Sequence, residues 1–415
     1  MITAIAPGSA ASLQTLHRFT DTGNGTKSHY ALGASPQSEL LQASDGNFYG
    51  TAIEGGSGPC PDPYGGGKIV GCGTIFRMTP QGTVTALYSF PYNTAKGLAP
   101  NGAYPTAGLI QGQDGYLYGV ARGGGIPSAC NEPLGCGTLF RISTAGVFTR
   151  LHQFCSGYDY GCPNPTEGGQ PAVHLVQLPS GALCGTTAEG GIGNDGTVFC
   201  ASTGGSVNTL YTFQQNGTDG ADPLGALLVG MDGQTLYGTT TFGGAAGEGT
   251  VFALKGSALT VLHAFDVAPD TTGQPICALI FGVDGKLYGT TYAGNPASGI
   301  FSLNTDGSGF SSQNVFNSQI AGQPYGPKSG LLLASNGLMY GMTYDDGDGT
   351  IYSYNPAKAL LTLLVGFNGN NGAAPTDALI EGTDNFLYGT TTLYGGSNKL
   401  GGDAGTIVRL GPALK

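Results

Sequence analysis

A triplet of one large apolar residue, a tyrosine and a glycine occurs seven times along the chain, and this recurrence restricts the fold more than any other feature. The copies are Phe48-Tyr49-Gly50, Leu117-Tyr118-Gly119, Leu183-Cys184-Gly185, Leu236-Tyr237-Gly238, Leu287-Tyr288-Gly289, Met339-Tyr340-Gly341 and Leu387-Tyr388-Gly389. Their glycines stand 48 to 69 residues apart, near the upper end of the spacing that marks propellers and solenoids. One unit is copied seven times, with cysteine replacing tyrosine in the third.

Each unit carries four strand-like pieces in fixed order. In the fourth, Ala226-Leu227-Leu228-Val229 precedes an Asp232-Gly233 turn, Thr235 to Thr240 follows it, then Gly249 to Leu254, and finally Leu259 to Phe265. Asp-Gly suits a tight hairpin because glycine accepts positive φ, while β-branched and aromatic residues fill the pleated runs. No window sustains a 3.6-residue apolar period, and 76 glycines with 24 prolines would interrupt any long helix. Four short antiparallel strands per unit predict a propeller blade. The seventh unit ends at Gly405-Thr406-Ile407-Val408-Arg409-Leu410 without a fourth strand, whereas the chain begins with an orphan one, Leu13 to Phe19. Pairing the two would close a ring and remove two exposed sheet edges. The expectation is an all-β, seven-bladed β-propeller as one domain over residues 1–415, with 1–12 a tail and 13–19 the closing strand of the last blade.

The repeated Tyr-Gly-Thr-Thr, Gly-Gly and Gly-Thr-Val-Phe segments resemble the GloVer tandem-repeat family of secreted, mostly bacterial proteins. The resemblance runs from residue 13 to 410, with local departures at Cys184 and at Gly299-Ile300, where the threonine is missing. It implies a repeat type and an extracellular setting; it supplies no reaction and no catalytic motif.

Composition fits a soluble, secreted protein. Only 10% of residues are charged, and the net charge of −11 disfavours nucleic acid or an anionic membrane as a partner. No stretch is long and apolar enough to span a bilayer. The opening Met1 to Pro7 lacks the basic start and apolar run of a signal peptide. Cys60 with Cys72, Cys130 with Cys136, and Cys155 with Cys162 bracket insertions absent from later units, which predicts three local disulfides in an oxidising compartment, extracellular or periplasmic. Their irregular spacing and the absence of nearby histidine argue against a metal role. Cys184 and Cys200 sit on neighbouring strands, able to pair or to pack, and Cys277 reads as a lone buried thiol.

Function has to be read from where the copies differ. The loops between Gly55 and Gly73 and between Gly123 and Gly137, and the inter-blade loops from Phe90 to Pro105 and from Phe154 to Pro171, are all long. Blades one to three are therefore expected to wall a cleft over one side of the channel mouth, since long loops on a rigid scaffold are where binding and catalysis gather. A second deviation coincides with it. Every innermost strand starts with proline, three variable residues and leucine, and the residue before the leucine is small at Gly108, Ala226, Ala278, Gly330 and Ala378 but is Glu39 and His174 in the other two copies. An ionisable group in place of a small one near the channel mouth costs desolvation unless it is partnered. His17, His152 and His263 occupy a fourth-strand position that is Tyr88 and Tyr211 elsewhere and read as structural; His29 and His174 have no such explanation.

Glu54 and Glu189 each follow the signature glycine by four residues, at the strand end on the cleft face, and Arg122 stands one residue earlier in its own repeat. Two carboxylates across a cleft can divide acid and base or nucleophile duties in glycoside cleavage. A histidine or tyrosine base beside an arginine that neutralises a uronate would instead support β-elimination. Glu39, His174, Glu54, Glu189 and Arg122 are the candidate catalytic residues. His29, Tyr64, Tyr104, Tyr158, Tyr160, Tyr344 and Tyr394 are candidates for substrate binding, because tyrosine can stack on a sugar ring while offering a hydroxyl. The leading reading is a secreted carbohydrate-active enzyme, a glycoside hydrolase or polysaccharide lyase, acting on a polysaccharide or oligosaccharide as a monomer. A lectin-like or matrix-binding propeller and an extracellular protein-interaction scaffold are the alternatives. No cofactor is implied beyond a possible structural calcium at Asp345-Asp346-Gly347-Asp348-Gly349, which lacks the closing glutamate of a full calcium loop.

Overall fold

The computed structural model describes residues 12–20, 31–61, 69–125, 135–154, 166–171, 173–214, 218–266, 273–292, 297–317, 326–344, 348–393 and 403–411. Within them there is no helix, and seven four-stranded antiparallel sheets form the blades of a β-propeller. The chain opens with Leu13–Thr20 (β1). The first blade then runs Leu41–Gln42 (β2), Phe48–Ala52 (β3), Thr74–Met78 (β4) and Val84–Ser89 (β5), hydrogen-bonded in that order. In the seventh blade Ile380–Glu381, Leu387–Thr391 and Asp403–Leu410 are followed by β1, which pairs antiparallel with Asp403–Leu410 from Leu13 opposite Leu410 to Thr20 opposite Asp403. The strand expected at 13–19 is one residue longer than anticipated and takes the place the seventh unit lacks.

The apolar core is divided among the joints between blades. Seven clusters occur, each drawing on two neighbouring sheets. Tyr49 and Ile75 of blade one pack with Leu109, Leu117 and Phe140 of blade two. Tyr388 and Ile407 of blade seven pack with Leu40, Phe48 and Phe76 of blade one. Each signature tyrosine is thus a spacer between sheets, and four of them satisfy their hydroxyl locally. Tyr49, Tyr118, Tyr288 and Tyr388 donate at 2.6–2.9 Å to Asp45, Asp114, Asp284 and Asp384, the aspartates of the preceding tight turn.

The rest of the motif has equally specific duties. A Cβ on the signature glycine would strike the third-strand phenylalanine ring, at 2.5 Å for Gly50 against Phe76 and 2.4 Å for Gly238 against Phe252. The first threonine donates to a main-chain carbonyl of the next blade, as Thr51 does to Ala107, Thr239 to Cys277 and Thr390 to Ser38. The second bonds to a threonine across the sheet, Thr187 to Thr197, Thr240 to Thr250 and Thr391 to Thr406, each at 2.8 Å. Blade five differs in register. Gly299 lies opposite Thr291 and takes the threonine's place, and Ser298 takes the glycine's.

The residue before each strand-opening proline is held in the left-handed region: Ser35, Tyr104, Gln170, Asp222, Gln274 and Ala374 have φ of 52–55°. Such a backbone costs about 1–3 kcal/mol for a non-glycine residue and persists only where its surroundings enforce it. Here both main-chain groups are tied. Tyr104 N donates to Cys72 O of the preceding blade and Tyr104 O accepts from Arg122 N of its own, and Ser35 N donates to Ala404 O of blade seven in the same way. Six proline turns are clamped between sheets.

Disulfides join Cys60 to Cys72 and Cys184 to Cys200. Cys136 is also disulfide-bonded, while Cys130, Cys155 and Cys162 lie outside the described residues. Cys277 is a free, buried thiol.

Candidate functional site

The segments that follow the seven prolines line the central channel, and period-two alternation decides which side chains face it. Leu40, Leu109, Leu175, Leu227, Leu279, Leu331 and Leu379 are buried between blades, so the residues before and after each leucine turn to the lumen. A cavity of about 530 Å³ is bounded by residues from all seven blades, among them Gln37, Thr106, Val173, Leu224, Ile276 and Lys328. A second hollow of about 480 Å³ continues beyond it between aliphatic side chains such as Leu41, Ile110, Val176 and Ile380. Glu39 and His174 border both and form the waist between them.

Glu39 of blade one and His174 of blade three meet at this waist although a whole blade separates them. Gly108 of blade two makes the meeting possible, because a Cβ there would stand 2.8 Å from His174 Nδ1 and 3.0 Å from Glu39 O. His174 Nδ1 lies 3.4 Å from Glu39 Oε2, and its Nε2 lies 3.7 Å from Asp377 Oδ1 of blade seven. The three side chains keep 18%, 30% and 20% of their surface for His174, Glu39 and Asp377 respectively, so they are enclosed yet reachable from the lumen. Asp377 is held firmly: Oδ2 accepts from Glu39 N at 2.7 Å and Oδ1 from Ala378 N at 2.8 Å.

The enclosure sets the electrostatics. Burial pushes the Glu39 carboxyl up to about 7, with Asp377 adding to the rise and His174 opposing it. For His174 burial alone would favour the neutral ring, but the Asp377 and Glu39 carboxylates outweigh it and raise the pKa. Near neutral pH the waist therefore holds a carboxyl able to give or take a proton and an imidazole that tends to carry charge.

The other expected site residues lie elsewhere. Main-chain Glu54 bridges Ala34, and Glu189 pairs with Gly169 in a two-stranded ribbon, Gly168–Gly169 with Glu189–Gly190; neither lines the channel cavities. Arg122 spends its Nε and one terminal nitrogen on Gln170 Oε1, at 3.0 and 2.8 Å. Glu39 and His174 gather inside the channel with Asp377 of blade seven, while 62–68, 126–134 and 155–165 of the loops expected to wall a cleft over blades one to three lie outside the described residues. Tyr104 is corrected outright. It is only 8% exposed, packs in the core beside the Cys60–Cys72 bridge and donates its hydroxyl to Pro61 O. Tyr344 stays half-exposed against Lys328. His29, Tyr64, Tyr158, Tyr160 and Tyr394 lie outside the described residues, as do Asp345, Asp346 and Gly347 of the candidate calcium loop. His17, His152 and His263 have local roles: His17 and His263 pack edge-on against Phe19 and Phe265, and His152 bonds Glu167.

Two channel residues escaped the sequence reading. Asp377 stands two residues after its proline, where other copies have Ser38, Ala107, Val173, Gly225, Cys277 and Ser329; it is the acid in that register, one step from the position compared. Lys328 stands directly after Pro327, where the other copies hold no charge. Comparing every register after the proline would have found both.

Glu39, His174 and Asp377 each offer a ligand atom within 4.8 Å of one another, a donor set that suits a divalent cation. The two imidazole nitrogens, however, face different carboxylates, so the ring spans the pair and does not direct a lone pair at a point common to both. That geometry favours proton sharing. Cys277 borders the same cavity, but burial pushes its thiol up to about 12, which removes it as a nucleophile at neutral pH.

A family model for the Gloeobacter/Verrucomicrobia repeat matches residues 2–167 and 158–348. No curated protein matches the chain. Solved structures of similar fold include hydrazine synthase of Kuenenia stuttgartiensis, at 12% identity and TM-score 0.54 over 90% of this chain and 96% of that one. The extracellular domain of a one-component system from B. thetaiotaomicron aligns at 11% identity and TM-score 0.54 over 97% of this chain and 42% of that one. A Bacteroides uniformis protein assigned as a 6-phosphogluconolactonase aligns at 15% identity and TM-score 0.50, over 80% and 88%. At such identities the likeness is one of fold alone.

Proposed function

The chain belongs to the Gloeobacter/Verrucomicrobia repeat family, and on this propeller scaffold we propose a secreted carbohydrate-active enzyme, a glycoside hydrolase that cleaves an oligosaccharide or the end of a polysaccharide in the central channel. The observation that carries the reading is the convergence of Glu39, His174 and Asp377 from three blades at an enclosed waist, with Glu39 raised to about 7. Glu39 is the general acid, giving its proton to the departing glycosidic oxygen. Asp377 attacks the anomeric carbon, and the resulting ester is released when Glu39 takes a proton from water that displaces Asp377. Carboxylate oxygens within 4.8 Å suit this double displacement, for which about 5–5.5 Å between carboxyl groups is usual, over the wider gap that a single water-borne inversion needs. His174 is a positioning residue that spans both carboxyl groups. Elimination through Arg122 is disfavoured, because Arg122 is committed to Gln170 away from the cavity. The disulfides support an extracellular or periplasmic setting.

The test is a saccharide screen that follows reducing ends, product anomers and the ultraviolet absorbance of unsaturated products. Hydrolysis with retained anomeric configuration is expected, declining above about pH 7 as Glu39 loses its proton. Glu39→Gln should slow cleavage of unactivated sugars by about 10²–10⁴ and of nitrophenyl glycosides much less, since that leaving group needs no proton. Full activity in both Glu39→Gln and Asp377→Asn, or ultraviolet-absorbing products, would overturn the mechanism.

A further inference from the structure

We propose that Lys328 is an anion-binding subsite of the channel and that the sugar unit it holds carries a carboxylate, as a uronic acid does; this specifies the substrate class of the glycosidic reading above and rests on it. Lys328 is the one lysine or arginine among the residues lining the 530 Å³ cavity, which it shares with Glu39, His174 and Asp377. Its Nζ sits 3.9 Å from the ring centroid of Tyr344 and 5.0 Å from that of Tyr292. Among the described residues no carboxylate pairs with this ammonium and no acceptor takes a hydrogen bond from it. In a chain with 26 acidic and 15 basic residues, a half-buried cation that pairs with no carboxylate among the described residues marks a place where an anion from outside can complete the pairing.

The surroundings prepare the group for that task. Ring faces attract the cation and restrain a side chain that is otherwise flexible, so less freedom is lost when a ligand binds. An ammonium has three N–H donors, and the ring contacts use none of them as ordinary hydrogen bonds. The backbone beneath is fixed as well, since the Cys277 thiol donates to Lys328 O at 3.2 Å. Tyr292 and Tyr344 add apolar faces of the kind that pack on a pyranose. One ammonium matches one monoanionic group, which favours a carboxylate over a dianionic phosphate. Blade six is next to blade seven, so a uronate held by Lys328 lies in the cavity that Asp377 also borders.

Binding without turnover tests this. Isothermal titration of the intact protein with glucuronate, galacturonate and mannuronate, each against its neutral hexose, is expected to show at least one acid bound on the order of tenfold more tightly, the scale of a charge-assisted hydrogen bond. Lys328→Met should erase that preference while keeping the affinity for the neutral sugar, Lys328→Arg should restore part of it, and high salt should weaken it in the parent protein. No preference for any acid, or a preference that survives Lys328→Met, overturns the subsite. Tighter binding of galactose 6-sulfate than of galacturonate overturns the carboxylate assignment. Since these titrations read monosaccharide affinity alone, an inactive protein that keeps the Lys328-dependent preference would refute the hydrolase and leave the subsite standing.

Discussion

Gly108 is small so that His174 can pass it, and the pair that results makes this propeller sensitive to pH. Glu39 ordinarily titrates at 4.5 and is raised to about 7 in the fold, and His174 is raised above 6.5. Both shifts have the same sign for stability. Between pH 4.5 and the folded-state values the native chain holds more protons than the unfolded one, so these two groups contribute fully at low pH and progressively less as pH rises through 7. Urea midpoints are therefore expected to fall from pH 5 to pH 8, and Glu39→Gln should flatten the slope; an identical slope in the variant would refute the shared titration. Glu39 and His174 were legible in the sequence because six other copies provide a ruler against which an ionisable residue stands out. Asp377 was not, because it lies one residue off that register, and Tyr104 misled because no spacing rule reveals that it packs beside the Cys60–Cys72 bridge and bonds Pro61 O.

At the scale of the element, the Gly-Thr-Val-Phe run owes its glycine to two constraints acting together. Gly249 has φ of +97°, and a Cβ there would stand 2.3 Å from Thr240 O and 2.8 Å from the ring of Pro275 in the next blade; Gly73, Gly137, Gly196, Gly349 and Gly405 each meet the following proline in the same way. Gly249→Ala should accordingly cost about 1–3 kcal/mol or more in urea unfolding, from backbone strain alone. Gly366→Ala, with no atom within 4 Å of the new Cβ and no positive φ, should stay within about 0.5 kcal/mol. Equal effects would mean that blade contacts do not dictate the motif. The four-strand unit could be read from sequence because its turns and β-branched runs recur, whereas the division of labour between the two threonines could not, as one bonds within a sheet and the other to its neighbour. The same blindness placed the blade-five glycine at the wrong register, since only pairing with Thr291 reveals that Ser298 replaces it.

For the whole molecule, the decisive seam lies within blade seven, between Asp403–Leu410 and β1, where the chain supplies no covalent succession of strands. Elsewhere an aromatic at the end of each fourth strand packs on the third strand of the following blade: Phe90 on Phe140, Phe154 on Phe199, Phe213 on Phe252 and Phe265 on Phe301, with ring centroids 5.0–5.6 Å apart. Phe19 of β1 does the same with Phe76 at 5.3 Å and is 1% exposed, against 0% for Phe265. If β1 is as much a part of its blade as any strand within a repeat, Phe19→Ala and Phe265→Ala should be equally damaging, about 3–5 kcal/mol each, by loss of transfer energy and the cavity left behind. If β1 instead frays from the edge of Asp403–Leu410, the first substitution would cost well under 1 kcal/mol and the second its full amount. Urea unfolding of both variants, followed by tyrosine fluorescence and by far-ultraviolet circular dichroism, separates the cases. Matching losses in coincident transitions are expected, because a ring whose cores all lie between blades has no seam it can open without exposing one of them, and the Glu39 to Asp377 contact at the channel waist ties blade one to this same blade seven.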